Sequence, residues 1–230
     1  MPTRIFSLGG SAIVPGKVDY SLLKKLKSLI LGLSRREQVV IVCGGGRTAR
    51  EYISALEKEG ASEYERCSVG IECTRLNALL VALFLGQLAN SHIPTTTGEF
   101  LKAMKKHRIV VTGGGLEDAH IGTTSDGTTA FLTALLHEKE FINLTNVSGL
   151  YDKDPRKFRN AKLVPRISYG DFWKLMGKVK EKPGQHFILD SYATKIITKN
   201  KIRVAILDGK EIKNISSYLD GRKFVGSVIG

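Results

Sequence analysis

Residues 38–49 read QVVIVCGGGRTA: an apolar, β-branched run, stopped by three glycines, opening into a helical pattern over Arg47–Glu59. Strand, glycine turn and helix in that order form the repeating unit of an open α/β sheet. The arrangement recurs at Leu8-Gly9-Gly10-Ser11, after the strand-like run Arg4–Leu8, and at Thr112-Gly113-Gly114-Gly115, after Arg108–Thr112. Phe141–Thr145 and Arg203–Leu207 read as two further strands. Helical patterns cover Tyr20–Leu33, Val69–Leu88, Gly98–Lys105 and Asp126–Glu138, and a shorter one covers Lys195–Lys199. Continuously apolar strands alternating with helices predict a mostly parallel sheet covered on both faces. The stretch from about Gly149 to Gly184 reads as irregular and basic. No repeat, low-complexity segment or Pro/Ser-rich linker divides the chain.

Three glycine clusters leaving the carboxyl ends of parallel strands point to one functional edge. Glycine lets backbone N–H groups approach an anion closely, and a following helix N-terminus adds a positive dipole. The 24 glycines exceed the roughly 16 expected at average usage. Composition agrees with this reading. Lys and Arg total 35 against 22 Asp and Glu, a formal charge of +13, which favours polyanions or phosphorylated small molecules. A hydrophobic content of 42% supports a sizeable core and excludes a disordered basic tail. No uninterrupted apolar run reaches the ~18 residues of a membrane span. The three cysteines (Cys43, Cys67, Cys73) lack metal-like spacing, and a reducing, cytoplasmic setting is expected. The five histidines show no paired metal spacing, so no metal-ligating residue is assigned.

Two phosphate-binding motifs can be set aside. The GxxxxGK[ST] pattern is absent. The GxGxxA match at Gly44–Ala49 would need a second strand ending in an acid about twenty residues on, where EKEGASEYE (57–65) has no strand character.

Taken with their spacing, the motifs resemble the amino-acid kinase superfamily, most closely its archaeal-type uridylate (UMP) kinases, nearly end to end. Gly9-Gly10-Ser11 is similar to the first glycine loop, GGGRTAREY (44–52) to the acceptor-phosphate loop, and GIECTRLNALL (70–80) to the nucleoside-site helix. TTSD (123–126), TNVSGLYDKDP (145–155) and DSYATK (190–195) resemble the donor-side segments, with nineteen residues from Asp126 to Thr145. The resemblance implies a single three-layer αβα sandwich over 1–230, its acceptor part about 1–120 and its donor part about 121–230. It implies ATP-dependent phosphorylation of a nucleoside monophosphate, most simply UMP, with Mg²⁺ accompanying the ATP. It also implies a homo-oligomer, commonly a hexamer. From the residues themselves no membrane partner is expected, and the lack of a recognised module or aromatic-basic interleaving speaks against nucleic acid.

Carried over residue by residue, the resemblance assigns catalytic roles to Asp126, Ser11 and Arg75. Acceptor binding falls to Gly44, Gly45, Gly46, Arg47, Arg50, Gly70, Thr74, Asn77, Thr123 and Thr124. ATP binding falls to Gly9, Gly10, Thr145, Asn146, Tyr151, Asp154 and Lys195. These residue types suit phosphoryl transfer, which is mostly positioning and charge neutralisation: guanidinium groups pair with phosphate, and hydroxyls at a helix start meet transferring oxygens. The chain departs from the family pattern at Ser7 (commonly Lys), at Cys67 (the ribose-binding Asp), at Ser148, and in the longer loop Gly115–Gly122. Simpler readings remain open: Arg47 and Arg50 as a solvated helix face, Asp126 as a helix cap, Thr74 and Asn77 as interior hydrogen-bonding residues. Another small phosphate or carboxylate acceptor, or a non-catalytic nucleotide-binding module, also remains open.

Overall fold

A computed structural model describes residues 1–116, 124–153, 155, 157–177 and 189–230. Its frame is one seven-stranded sheet. The strands are β1 Thr3–Leu8, β2 Gln38–Cys43, β3 Ile109–Thr112, β4 Glu140–Thr145, β5 Arg166–Ile167, β6 Arg203–Asp208 and β7 Ser227–Ile229, in the order β3-β2-β1-β4-β6-β7-β5. The five longer strands are parallel, β7 runs antiparallel to β6, and β5 pairs parallel with β7. From β1 the chain winds one way through β2 and β3, then crosses to β4 on the other side of β1. The topological switch point therefore lies at the carboxyl ends of β1 and β4, where open α/β sheets bind ligands.

The helices are α1 Gly10–Ile13, α2 Tyr20–Leu33, α3 Gly46–Lys58, α4 Glu63–Leu85, α5 Thr97–Lys106, α6 Ser125–Leu135, α7 Tyr169–Met176, α8 Ser191–Asn200 and α9 Ile212–Leu219. Strand alternation feeds two cores. Phe6, Leu8, Ile41, Val111, Ile142 and Leu207 pack with α2, α4 and α9. Ile5, Val40, Val42, Val110, Phe141 and Ile206 pack under α5, α6, α7 and α8. With both faces covered, the strands are apolar along most of their length, Ser7 and Asn143 being buried polar exceptions, and the result is the expected α/β sandwich of three layers.

All five expected strands form, within a residue or two of their expected ends. Helix α4 begins six residues earlier than its apolar pattern. Ser62 and Glu65 form a capping box there, Glu65 accepting from the Ser62 N–H and Ser62 Oγ accepting from the Glu65 N–H. Sequence reading missed β5 and β7, which are too short for a periodic signal, and also α1, α7 and α9. Within the stretch expected to be irregular, β5 and α7 are ordered, the latter capped by Ser168 accepting from the Asp171 N–H. The membrane expectation needs one amendment. By length and composition α4 could span a bilayer, with mean hydropathy 1.5 over an 18-residue window. Much of that apolarity goes into the core, through Ala78, Val81, Ala82 and Leu85.

Candidate active site

The first two glycine loops interlock at the switch point. The Gly9 N–H donates to Leu144 O (2.8 Å) and the Gly44 N–H to Leu8 O (2.9 Å), tying each loop to its neighbouring strand. A Cβ on Gly10 would lie 2.1 Å from Gly46 N and 2.4 Å from Gly44 O, so backbone rests directly on backbone and only glycine fits. Gly46 also takes φ +67°, a conformation other residues adopt at a cost. The third loop sits behind them, its Gly114 against Ser125 at the start of α6 and its Gly113 against Thr74 of α4.

Helix α4 clamps these loops along one face. Asn77, only 6% exposed, donates from Nδ2 to Gly44 O (2.7 Å). Thr74 Oγ1 donates to Ile71 O (2.6 Å) and accepts from the Gly114 N–H (2.8 Å). The Thr74 hydroxyl and the Asn77 Nδ2 are thus each bonded to protein backbone, as interior hydrogen-bonding residues would be. Gly70 sits where its carbonyl oxygen nears Gly45. Arg75 donates to Glu72 (2.6 Å) and to Gly115 O (3.0 Å), while its buried Nε has no partner among the described residues.

Arg50, one turn into α3, places Nη1 and Nη2 each 3.3 Å from Ser11 Oγ, so a guanidinium from the second loop meets a hydroxyl from the first. Arg47 turns instead to Glu51 (2.5 Å), in a pair more than half exposed on both sides, as a solvated helix face would be.

Across the switch point stands a polar chain. Ser7 on β1 donates to Asp126 Oδ1 (2.6 Å). Thr124, not Asp126, is the N-cap of α6: its Oγ1 accepts from the Asp126 N–H (3.1 Å) and donates to Asp190 Oδ2 (2.5 Å). Asp190 in turn caps α8, accepting from the Ala193 N–H (2.6 Å). Burial pushes the Asp126 carboxyl up to about 7. The Ser7 hydrogen bond holds it down in part, and the Asp190 charge raises it further. Sequence reading noted Ser7 only as a departure and Asp190 only as a helix start. A serine inside an apolar strand run and an aspartate three residues before Ala193 were the available signals.

The remaining expected residues are spread along the same edge and beyond it. Thr145 ends β4 opposite Asp208, and its carbonyl accepts from the Gly209 N–H (2.7 Å). Asn146 follows it, half-buried, and Tyr151 is half-buried in a bridge with Leu163. Lys195 is exposed on α8. Thr123 and Asp154 lie outside the described residues. Among the described residues no group of three or more His, Cys, Asp or Glu side chains is placed to hold a metal.

A family model described as the amino acid kinase family matches residues 2–208. The uridylate kinase of Pyrococcus abyssi is 34% identical over 218 residues, 95% of each chain. That of Thermoplasma acidophilum is 36% identical over 225 residues, 98% of this chain and 95% of the relative. The crystal structure of uridylate kinase from Archaeoglobus fulgidus is similar over 100% of both chains, with a TM-score of 0.84 at 32% identity.

Proposed function

The chain belongs to the amino acid kinase family, and we propose on that footing that it transfers the γ-phosphoryl group of ATP to UMP. The observation that carries this reading is the pair of interlocked glycine loops at the switch point, with Arg50 and Ser11 on one side and Asp126 on the other.

In this reading the acceptor phosphate sits at the Gly44–Gly46 loop and the start of α3, where N–H groups and the helix dipole favour an anion. Arg50 supplies paired donors, and Ser11 holds the guanidinium in place. Arg75 reaches the same phosphate once Glu72 gives up its hold. A phosphate monoester with its second pKa near 6 is already mostly dianionic at neutral pH, so no base is required. An acceptor oxygen attacks the γ-phosphorus, a new P–O bond forms, and the bond to the β,γ-bridging oxygen breaks with its electron pair leaving on ADP.

Two carboxylates, Asp126 and Asp190, beside an anionic reaction would repel it without an intervening cation. That donor chemistry fits Mg²⁺ carried in on the ATP phosphates, which would neutralise charge on the transferring group. Asp126 would then act on the waters of that ion rather than as its ligand. Gly9 and Gly10 would line the donor phosphates, with Lys195, Thr145, Asn146 and Tyr151 toward the nucleoside, and Thr124 would face the acceptor. Thr123, for the acceptor, and Asp154, for the ATP, are assigned from the family motif alone. The acceptor part, about 1–120, and the donor part, about 121–230, meet at the switch point. Leu76 and Leu83 of α4, 62% and 63% exposed, suit the homo-oligomer, commonly a hexamer, that the family resemblance implies. A cytoplasmic setting accords with three free cysteines.

The acceptor assignment is tested by Arg50→Ala. Losing a charge-assisted phosphate contact should raise the KM for UMP by about ten- to a hundredfold and change the KM for ATP far less. Equal effects on both substrates, or none, would remove Arg50 from the acceptor site.

A further inference from the structure

Ser7 is fully buried in the middle of the sheet, on the same face of β1 as Ile5. Its register neighbours are Val42 on β2 and Asn143 on β4. A hydroxyl there must find a partner within the protein, and a buried serine most often takes a nearby backbone carbonyl. Ser7 instead donates to a carboxylate 119 positions away in the chain, on the first turn of α6. The Asp126 backbone is fixed from the other side by the Thr124 cap. With Oδ1 held by Ser7, Oδ2 has no hydrogen-bond partner among the described residues.

We propose that Ser7 is a positioning residue for phosphoryl transfer: its hydroxyl fixes the Asp126 side chain so that the second carboxylate oxygen stays available to the transferring group. The inference rests on the reading of Asp126 as a group acting on that transfer. Ser7 itself touches no reacting atom. It supplies a short donor from a fully buried position on a central strand, and a side chain held by one strong contact loses little further entropy in reaching the transition state.

The experiment measures kcat and both KM values for Ser7→Ala, Ser7→Thr and Ser7→Val, and for Ser7→Ala in an Asp126→Asn background. The proposal expects Ser7→Ala to lower kcat about tenfold or more, the scale of a hydrogen bond to a charged group, with both KM values nearly unchanged. Threonine should restore kcat and valine, of the same shape without the hydroxyl, should not; this pair decides the matter if the alanine variant fails to fold. In the Asp126→Asn background Ser7→Ala should cost much less, since the two residues act as a unit. A kcat for Ser7→Ala within about twofold of wild type, equal losses for threonine and valine, or a loss of the same size in both backgrounds would overturn the proposal. If Asp126→Asn alone keeps wild-type kcat, it is the reading of Asp126 that fails.

Discussion

At Asp126, burial sets up a cost that depends on pH. Its carboxyl titrates at about 7 in the folded chain, against roughly 3.9 for a free aspartate. Between these values the folded protein holds a proton that the unfolded chain releases, so stability falls as pH rises through that window. Asp126→Asn should therefore raise Tm at about pH 8, leave it unchanged at about pH 4, and lower kcat strongly at about pH 8, where the wild-type carboxyl is ionised. Thermal melts at the two pH values, with turnover beside them, check the sign. A capping role for Asp126 is already set aside, because Thr124 fills it. Cys67 poses the second question at this scale. Glu65 spends its carboxylate on the Ser62 capping box and Glu72 is paired with Arg75, so both acids near Cys67 in sequence already have partners in this structure. Glu63, one turn before Cys67 on α4, is near enough that its charge helps burial push the thiol up. Cys67→Asp should sharpen the preference for UMP over dUMP by ~1–2 kcal/mol, the scale of one charged hydrogen bond. Ratios of kcat/KM for the two nucleotides in both proteins measure it. Residue type and spacing made the glycine clusters legible in the sequence, and the family resemblance pointed to Arg50 and Asp126. The Ser7 contact was not, because a bond across 119 residues has no local pattern.

The element that matters most beside the sheet is the paired start of α6 and α8. Thr124 caps one helix and donates to Asp190, which caps the other. Asp190→Ala removes a cap and leaves Thr124 without that acceptor, so it should cost about 1–2 kcal/mol in urea unfolding. Asp190→Asn should cost much less, since asparagine caps comparably. Elements were legible in proportion to length and periodicity. Residues 38–43 declared β2 because both faces of that strand are buried, whereas β5 has two residues and β7 three. The early start of α4 was written in S-x-x-E at Ser62–Glu65, a capping signal that lies outside the apolar pattern.

Over the whole molecule, an ion-pair network and the proposed site occupy opposite edges of one sheet. At the amino ends of the strands Arg4 pairs with Glu37 (2.9 Å) and Glu140 (3.1 Å), and Arg203 with Glu140 (3.3 Å). Tyr218 donates to Glu140 as well. That network ties β1, β4 and β6 to the turn that leads into β2 and to the end of α9, while glycine loops leave the carboxyl ends of β1, β2 and β3. The alternation of strand and helix made this polarity legible, and the basic excess of +13 agrees with a site built for phosphates. The acceptor is the central claim, and turnover tests it most directly. The purified protein is incubated with ATP, Mg²⁺ and, in turn, UMP, other nucleoside monophosphates and small carboxylates, and the phosphorylated product is identified. The account predicts UDP and ADP in equal amounts with UMP as the preferred acceptor. Phosphorylation of a different acceptor in preference to UMP, or of none of them, would contradict it.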